Sequence, residues 1–356
     1  MEIKVLSSSE KEWLNKWDEF VERENISNHL LYSDWNNSFK SYGFEYEVVV
    51  LIKDSEIIGG FAAVIAKALF LKFYIVPFGP VLKNEYKSNL DFLIDNVIVR
   101  AKNYKCCYCH ISLPVSKSKN IHVYHELQKL NSLEKAKVGH KFKYVYSAYG
   151  LNWKSINNFE TEEDLINSFR ASVRRYIRSS LRKNLDLKFA ENEEDVKKGY
   201  NLCLKNAKDN GYALRDWESF GETMLVLIKK NKAKFLLAVH NETIKGASLI
   251  VKSANHYTYI LGGSVKEKPD FLAGHFLHYS ACKIAWEEKL DGYNISLGGS
   301  PGVISLKSSY ADEQIYFENS KFHWVIRPLY FRLFLLMEKF IKNYKKPIAR
   351  LLSKLK

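Results

Sequence analysis

Lys307 is the single charge in LGGSPGVISLKSSY, where Gly298, Gly299, Pro301 and Gly302 crowd the run just ahead of it. Glycine gives up backbone entropy, so a loop of this kind usually lets something approach the main chain closely. Loops leaving strand ends are common ligand sites. A lysine held there can take the oxyanion of a tetrahedral intermediate, with the main chain of Gly298 and Gly299 beside the substrate. The competing reading is a tight turn with a surface lysine.

A second set is basic. Arg170, Arg174, Arg178 and Arg182 recur every four residues, with Arg175 and Lys183 alongside. On a helix this spacing puts like charges on one face, where they repel unless an anion joins them. Guanidinium groups match phosphate oxygens through paired hydrogen bonds. Tyr257 and Tyr259, two apart on an apolar stretch, share a strand face and serve either a polar cleft or the core.

Other chemistries lack their residues. Cys106, Cys107, Cys109 and His110 crowd together, but in a strand-like run without a Cys-x-x-Cys pair, and buried thiols are expected. His275 and His278 share a helix face with no carboxylate nearby in sequence. The chain shows no His-Glu-x-x-His, Walker loop or Ser-His-Asp triad. No resident metal or cofactor is expected. The Gln/Arg-x-x-Gly-x-Gly/Ala loop that threads the pyrophosphate of coenzyme A is also missing.

The elements that must position these residues occur twice. DSEIIGGFAAVI (54–65) and NETIKGASLI (241–250) share an isoleucine, one residue and a glycine after a polar turn. Each follows an apolar strand, VVVLI (48–52) or FLLAV (235–239), and each predicts a hairpin. FYIVPFGPV (73–81) is echoed by YTYILGGSV (257–265). Two Asp-Phe-Leu segments, starting at 91 and 270, run through a helix length and close on Ile-Ser-Leu. The repeat is strand, hairpin, strand, helix, strand. Helices are further expected over 10–22, 122–130, 161–184 and 216–231, and a strand over 141–151. The helix at 161 opens on a capping-box-like Thr161-Glu162-Glu163-Asp164.

In this order the segments IVPFGPV, DLINSFRASVRRYIRSSLRKN, YTYILGGS, LGGSPGVISLKSSY and RPLYFRLF resemble the FemABX-type aminoacyltransferases and their acetyltransferase relatives, over nearly the whole chain. The resemblance implies an α/β (α+β) fold of two tandem GNAT-like domains. Each would be a mixed, mostly antiparallel sheet flanked by helices, without the long coiled-coil arm of some members. The domains would span 1–152 and 153–326, with a basic tail at 327–356. It implies an N-acyltransferase that forms an amide on an amine. The donor would be aminoacyl-tRNA or acyl-CoA, and the acceptor a phosphorylated or lipid-linked envelope precursor. Lys307 matches the family's oxyanion lysine, Tyr257 and Tyr259 its cleft tyrosines, and Arg174 and Arg175 its basic helix near precursor phosphates. Arg178 continues that row. Leu306 stands where the family often has Phe, Phe78 where it has Arg, and Ser296 where it has Asp. A non-catalytic precursor-binding protein is the rival reading.

Charge and composition agree with a globular protein that meets anions. Hydrophobic residues make up 46% and charged residues 26%, and 54 Lys+Arg against 40 Asp+Glu leave +14. At 356 residues the chain suits two domains. Its N-terminal stretch has no apolar run of signal-peptide kind, so a cytosolic location is expected. The tail carries nine Lys/Arg and one acid, Glu338. It is expected to lie on an anionic membrane or to dock as a terminal helix.

Overall fold

The computed structural model describes residues 1–339 except 128, 300, 318 and 319. The first half of the chain runs β1 (Glu2–Leu6), α1 (Lys11–Arg23), α2 (Ser33–Asn37), β2 (Glu45–Lys53), β3 (Glu56–Ala68), β4 (Leu71–Val76), β5 (Val81–Leu82), α3 (Leu90–Asn103), β6 (Tyr108–Ser112) and β7 (Lys137–Val138). The second runs β8 (Gly150–Ser155), α4 (Glu162–Asn167), α5 (Ala171–Leu181), β9 (Asp186–Phe189), α6 (Glu193–Asp209), α7 (Trp217–Lys229), β10 (Ala233–His240), β11 (Thr243–Ser253), β12 (His256–Ser264), α8 (Ala273–Glu287), β13 (Gly292–Asn294), α9 (Pro301–Tyr310), β14 (Glu313–Tyr316) and β15 (Lys321–Val325). A helix over 328–339, α10, follows.

The strands form two sheets, ordered β1-β2-β3-β4-β6-β15-β7 and β14-β8-β13-β12-β11-β10-β9. The repeat read in the sequence is the shared middle of both. Hairpin β2–β3 corresponds to β10–β11, and the parallel pair β4–β6 to β12–β13. The repeated Ile-x-Gly has a structural cause. Register slips by one residue at Ile58 in the first hairpin and at Lys245 in the second, so each motif encodes a β-bulge.

The sheets also exchange their sixth strands. β8 straddles the expected boundary at 152 yet pairs wholly with the second sheet, through β13. β15 lies inside the expected second domain yet completes the first sheet, through β6. A head-to-tail cut of the chain therefore does not follow the sheets.

Side chains alternate as strands require. Phe235, Leu237 and Val239 of β10 pack with Val196, Tyr200 and Met224 of α6 and α7, whereas Leu236 and Ala238 pack with Ala273, Phe276 and Leu277 of α8. In the first sheet Tyr74 and Val76 meet Leu93 and Val97 of α3. Phe73 and Ile75 meet Phe142, Phe331 and Phe334 on the opposite side. The seam between the halves carries a buried ion pair, Lys232 Nζ to Asp18 Oδ2 at 2.8 Å, and Asp18 also accepts from Ser33. Arg215 crosses the same seam, donating to Ser38 and Ser41.

Three expectations fail for tertiary reasons. Among the described residues, 122–130 hold no helix. The N–H of Tyr124 goes to Pro114 and its carbonyl accepts from Ser116, so neither is free for a helical ladder. Residues 141–149 form no strand. Phe142, Val145 and Ala148, three apart, are buried in an irregular segment, and regular pairing begins at Gly150. The helix expected over 161–184 breaks at Arg170, whose backbone is extended (φ −55, ψ 147). Burial of Phe169 against Tyr310 overrides local helix propensity there. The capping box holds, with Thr161 and Asp164 bonding reciprocally. The tail is helical over 328–339, and its remainder, 340–356, lies outside the described residues.

β8 fits β13 with no room to spare. A Cβ on Gly292 would stand 2.0 Å from Cζ2 of Trp153. Gly292→Ala should therefore cost about 1–3 kcal/mol, read as a lower urea midpoint. An unchanged midpoint would mean that the Trp153 ring is free to move aside.

Candidate functional site

β13 delivers the chain to a turn fixed from three directions. Ser296 adopts positive φ (56°) while its N–H donates to Asn294 Oδ1 at 2.8 Å. Asn152 of β8 donates to the Ser296 carbonyl at 2.8 Å, and its own carbonyl accepts from Ile295. Gly299, at φ +149, tucks under α9, where an added Cβ would meet Val303 Cγ1 at 2.6 Å.

α9 is a full helix in place of the tight turn of the competing reading, and it carries Lys307 back over the loop. Lys307 is 7% exposed, not a surface lysine. Its ammonium donates to Ser296 Oγ and to the Gly298 carbonyl, both at 2.7 Å, and stands 5.1 Å from the centroid of Tyr259. Among the described residues no carboxylate pairs with it. Burial without a counter-ion lowers its pKa to about 8. Gly298 thus presents its carbonyl to the lysine. With two N–H groups of the ammonium committed, one remains.

Around the lysine stand groups that the sequence did not single out for catalysis. His278 of α8 stacks obliquely on Tyr259 at 4.9 Å, and its Nδ1 bonds the Tyr293 hydroxyl at 3.0 Å. Burial, aided by the charge of Lys307, drops its pKa to about 3, so this imidazole is neutral. One turn earlier, His275 bonds the Tyr310 hydroxyl of α9 and stacks on Tyr176 of α5 at 4.6 Å. This chain of rings joins the arginine helix to the lysine helix. The available signal was the i, i+3 spacing of the two histidines. Ser296 appeared in the sequence only as a departure from a family pattern.

The other predicted residues divide. Tyr259 joins Lys307. Tyr257 does not: its hydroxyl donates to Glu288 at 2.9 Å, beyond the C-terminal end of α8, whereas His275 sits in that helix's first turn. Lys234 and Lys252 also pair with Glu288, and Tyr257 is 1% exposed. The break at Arg170 folds α4 back along α5, so Arg178 pairs with Glu163 and donates to Asn167. Arg174 donates to the Asn167 carbonyl at 3.1 Å, and Arg175 lies over the Tyr176 ring. Neither pairs with a carboxylate among the described residues. Cys106, Cys107 and Cys109 are buried free thiols, with the first two pushed up to about 12 and about 11 by burial.

Two hollows lie elsewhere. One of about 30 Å³ sits at the seam between His122, Trp153 and His256. The other, an open cleft of about 420 Å³, is bordered by Phe159, Trp286 and Lys289. Neither is lined by Lys307 or Tyr259.

No curated protein matches the sequence. Solved structures resemble the whole chain. A crystal structure of FemX superposes with a TM-score of 0.77 at 16% identity, covering 94% of this chain and 99% of that one. A tandem GNAT protein from the clavulanic acid biosynthesis pathway gives 0.50 at 9% identity, over 91% and 99%. L-PGS from Bacillus licheniformis gives 0.53 at 11% identity, over 88% and 90%. The expected tandem GNAT-like architecture is met. The family model for FemAB matches residues 13–244, a span that includes the arginines of α5 and stops ahead of β12 and α9. The chain belongs to the FemAB family and is an acyltransferase.

Proposed function

We propose that this acyltransferase moves an aminoacyl group from aminoacyl-tRNA to the amine of a peptidoglycan or other cell-envelope precursor, with Lys307 stabilising the oxyanion. The observation that carries this reading is the buried ammonium of Lys307, held by two neutral acceptors with one N–H to spare. As the amine nitrogen bonds to the ester carbonyl carbon, the carbonyl electron pair moves onto oxygen. The remaining N–H of Lys307 meets that charge. Collapse then expels the ribose oxygen, which takes up a proton, and the nitrogen gives one up. A donor at this place is worth roughly 2.7–4 kcal/mol of barrier.

The rest of the cluster serves the lysine. Ser296 and the Gly298 carbonyl aim it, and the Tyr259 face supports the cation. Neutral His278 keeps Tyr259 and Tyr293 in place without adding a competing positive charge. Asp270 accepts from the Leu272 N–H at 2.8 Å and acts as a turn residue.

Local charge favours tRNA over acyl-CoA as donor. A coenzyme pyrophosphate would be held at the helix N-terminus that follows the fourth core strand. At α8 that entrance carries the Asp270 carboxylate. At α3 the first turn carries Asp91, bonded to Asn131 and Ser132. Both acids repel a pyrophosphate. Arg174 and Arg175 meet no carboxylate among the described residues and are joined to α9 through Tyr176, His275 and Tyr310, which supports phosphate binding beside the reacting centre.

Labelled aminoacyl-tRNA and labelled acyl-CoA, offered separately with precursor extracts, should give transfer from the first. Lys307→Met should lower kcat about 10²- to 10³-fold while the fold is kept, since the change removes a buried charge. Transfer from acyl-CoA alone would overturn the donor assignment. Full activity of Lys307→Met would overturn the mechanism. The rate should also have a descending limb near pH 8, because the cation is present below its pKa of about 8 and lost above it. Ser296→Asp adds a counter-ion, raises that pKa and should move the limb upward; a stationary limb would assign it to another group. Arg174→Ala and Arg175→Ala should each raise KM for the anionic substrate and flatten its salt dependence by about one ion. An unchanged salt slope would remove α5 from the binding surface.

A further inference from the structure

α10 is apolar on two sides. Phe331 and Phe334 turn inward, 6% and 4% exposed, and their rings meet Phe73, Tyr108 and Phe142 at 4.7–5.8 Å. A surface helix normally offers polar residues on its other face. Here Leu329, Leu333 and Leu336, spaced i, i+4, i+7, stand out at 77%, 39% and 66% exposure. Nothing in the described chain covers them.

The β3–β4 turn adds to the same surface. Leu69 and Phe70 form its tip, 81% and 65% exposed, with Leu69 in the left-handed region at φ 54. A polar residue or glycine is the usual choice at such a tip. The base of this turn is tied to the start of α10 through β6. Cys107 donates its N–H to Lys72 and accepts from Arg327. Leu71 shares one buried cluster with Phe331 and Phe334. The hairpin tip and Leu329 therefore project from the same end of the first sheet.

Basic residues surround this apolar surface. Lys72, Lys105 and Arg327 lie at that sheet end, Arg332 and Lys339 on α10, and Lys143 on the segment that brings Tyr144 beside Phe334. Of the nearby acids, Glu45 is paired with Lys67 at 2.5 Å, and Glu338 accepts from the Tyr144 hydroxyl. Large apolar tips within a basic border match the headgroup boundary of an anionic bilayer, where leucine and phenylalanine enter and lysine and arginine stay at the phosphates.

We propose that the β3–β4 tip and the outer face of α10 form one docking surface for an anionic lipid bilayer. This surface is independent of the acyl-transfer reading: it uses no residue of the Lys307 site.

The test is flotation of the full-length protein with vesicles of phosphatidylcholine alone and of phosphatidylcholine mixed with phosphatidylglycerol. Binding should require phosphatidylglycerol and weaken with added salt. The double variants Leu69→Ser/Phe70→Ser and Leu329→Ser/Leu336→Ser should each lower partitioning about tenfold, with unchanged thermal unfolding. Absence of binding, equal binding to neutral vesicles, or double variants that bind like the parent would overturn the proposal, the last assigning attachment to residues beyond 339. A dimer in solution that both double variants dissociate would assign the surface to a second copy of this chain and overturn it as well.

Discussion

The pairing of β8 with β13 is the constraint on which the site depends. β8 is laid down before any other element of the second sheet, yet it closes beside a strand formed more than a hundred residues later. Once paired, it fixes three things together. Trp153 occupies the space that Gly292 leaves open, Asn152 holds the Ser296 carbonyl, and β14 adds to its far edge. The turn that presents Ser296 and Gly298 to Lys307 is therefore not a free loop. It is held at both ends by a strand from the joint between the halves, while β15 makes the reciprocal crossing into the first sheet.

Electrostatics separates the buried cations that have a counter-ion from the one that has none among the described residues. Lys154 is buried but reaches Asp312 at 2.9 Å, and Lys232 is buried but reaches Asp18. Each has a counter-ion to offset the cost of leaving water. Lys307 is buried as deeply and is given only a hydroxyl and a carbonyl. That difference lowers its pKa and leaves its charge uncompensated among the described residues. The arginines of α5 divide in the same way, with Arg178 paired with Glu163 and Arg174 and Arg175 meeting no carboxylate among the described residues.

Much of the fold was legible because it rests on local pattern. α1 and α7 follow apolar periodicity, and the Thr161–Asp164 box starts α4 where its side chains dictate. The repeated Ile-x-Gly was read as similarity and turned out to be a bulge preserved in both hairpins. Failures came where distant partners took over. Tyr124 spends its backbone on Pro114 and Ser116, and Phe169 breaks a helix to reach Tyr310. Of the candidate site, the glycine-rich turn and strand alternation pointed to Lys307 and Tyr259, which the fold brings together. Tyr257 obeys the same alternation yet lies apart from Lys307, bonded to Glu288, because spacing cannot tell where along a strand face a residue falls.

By itself the sequence determined the duplication, the hairpins, the amphipathic helices and the presence of a lone lysine after glycines. Each is set by side-chain chemistry within a few residues. Only tertiary structure decided that β8 and β15 would change sheets, that His275 and His278 would stand between two helices, and that Ser296 rather than a carboxylate would meet Lys307. Those outcomes depend on which surfaces meet after the chain has folded, and on the desolvation that follows, and neither quantity is written in the spacing of residues.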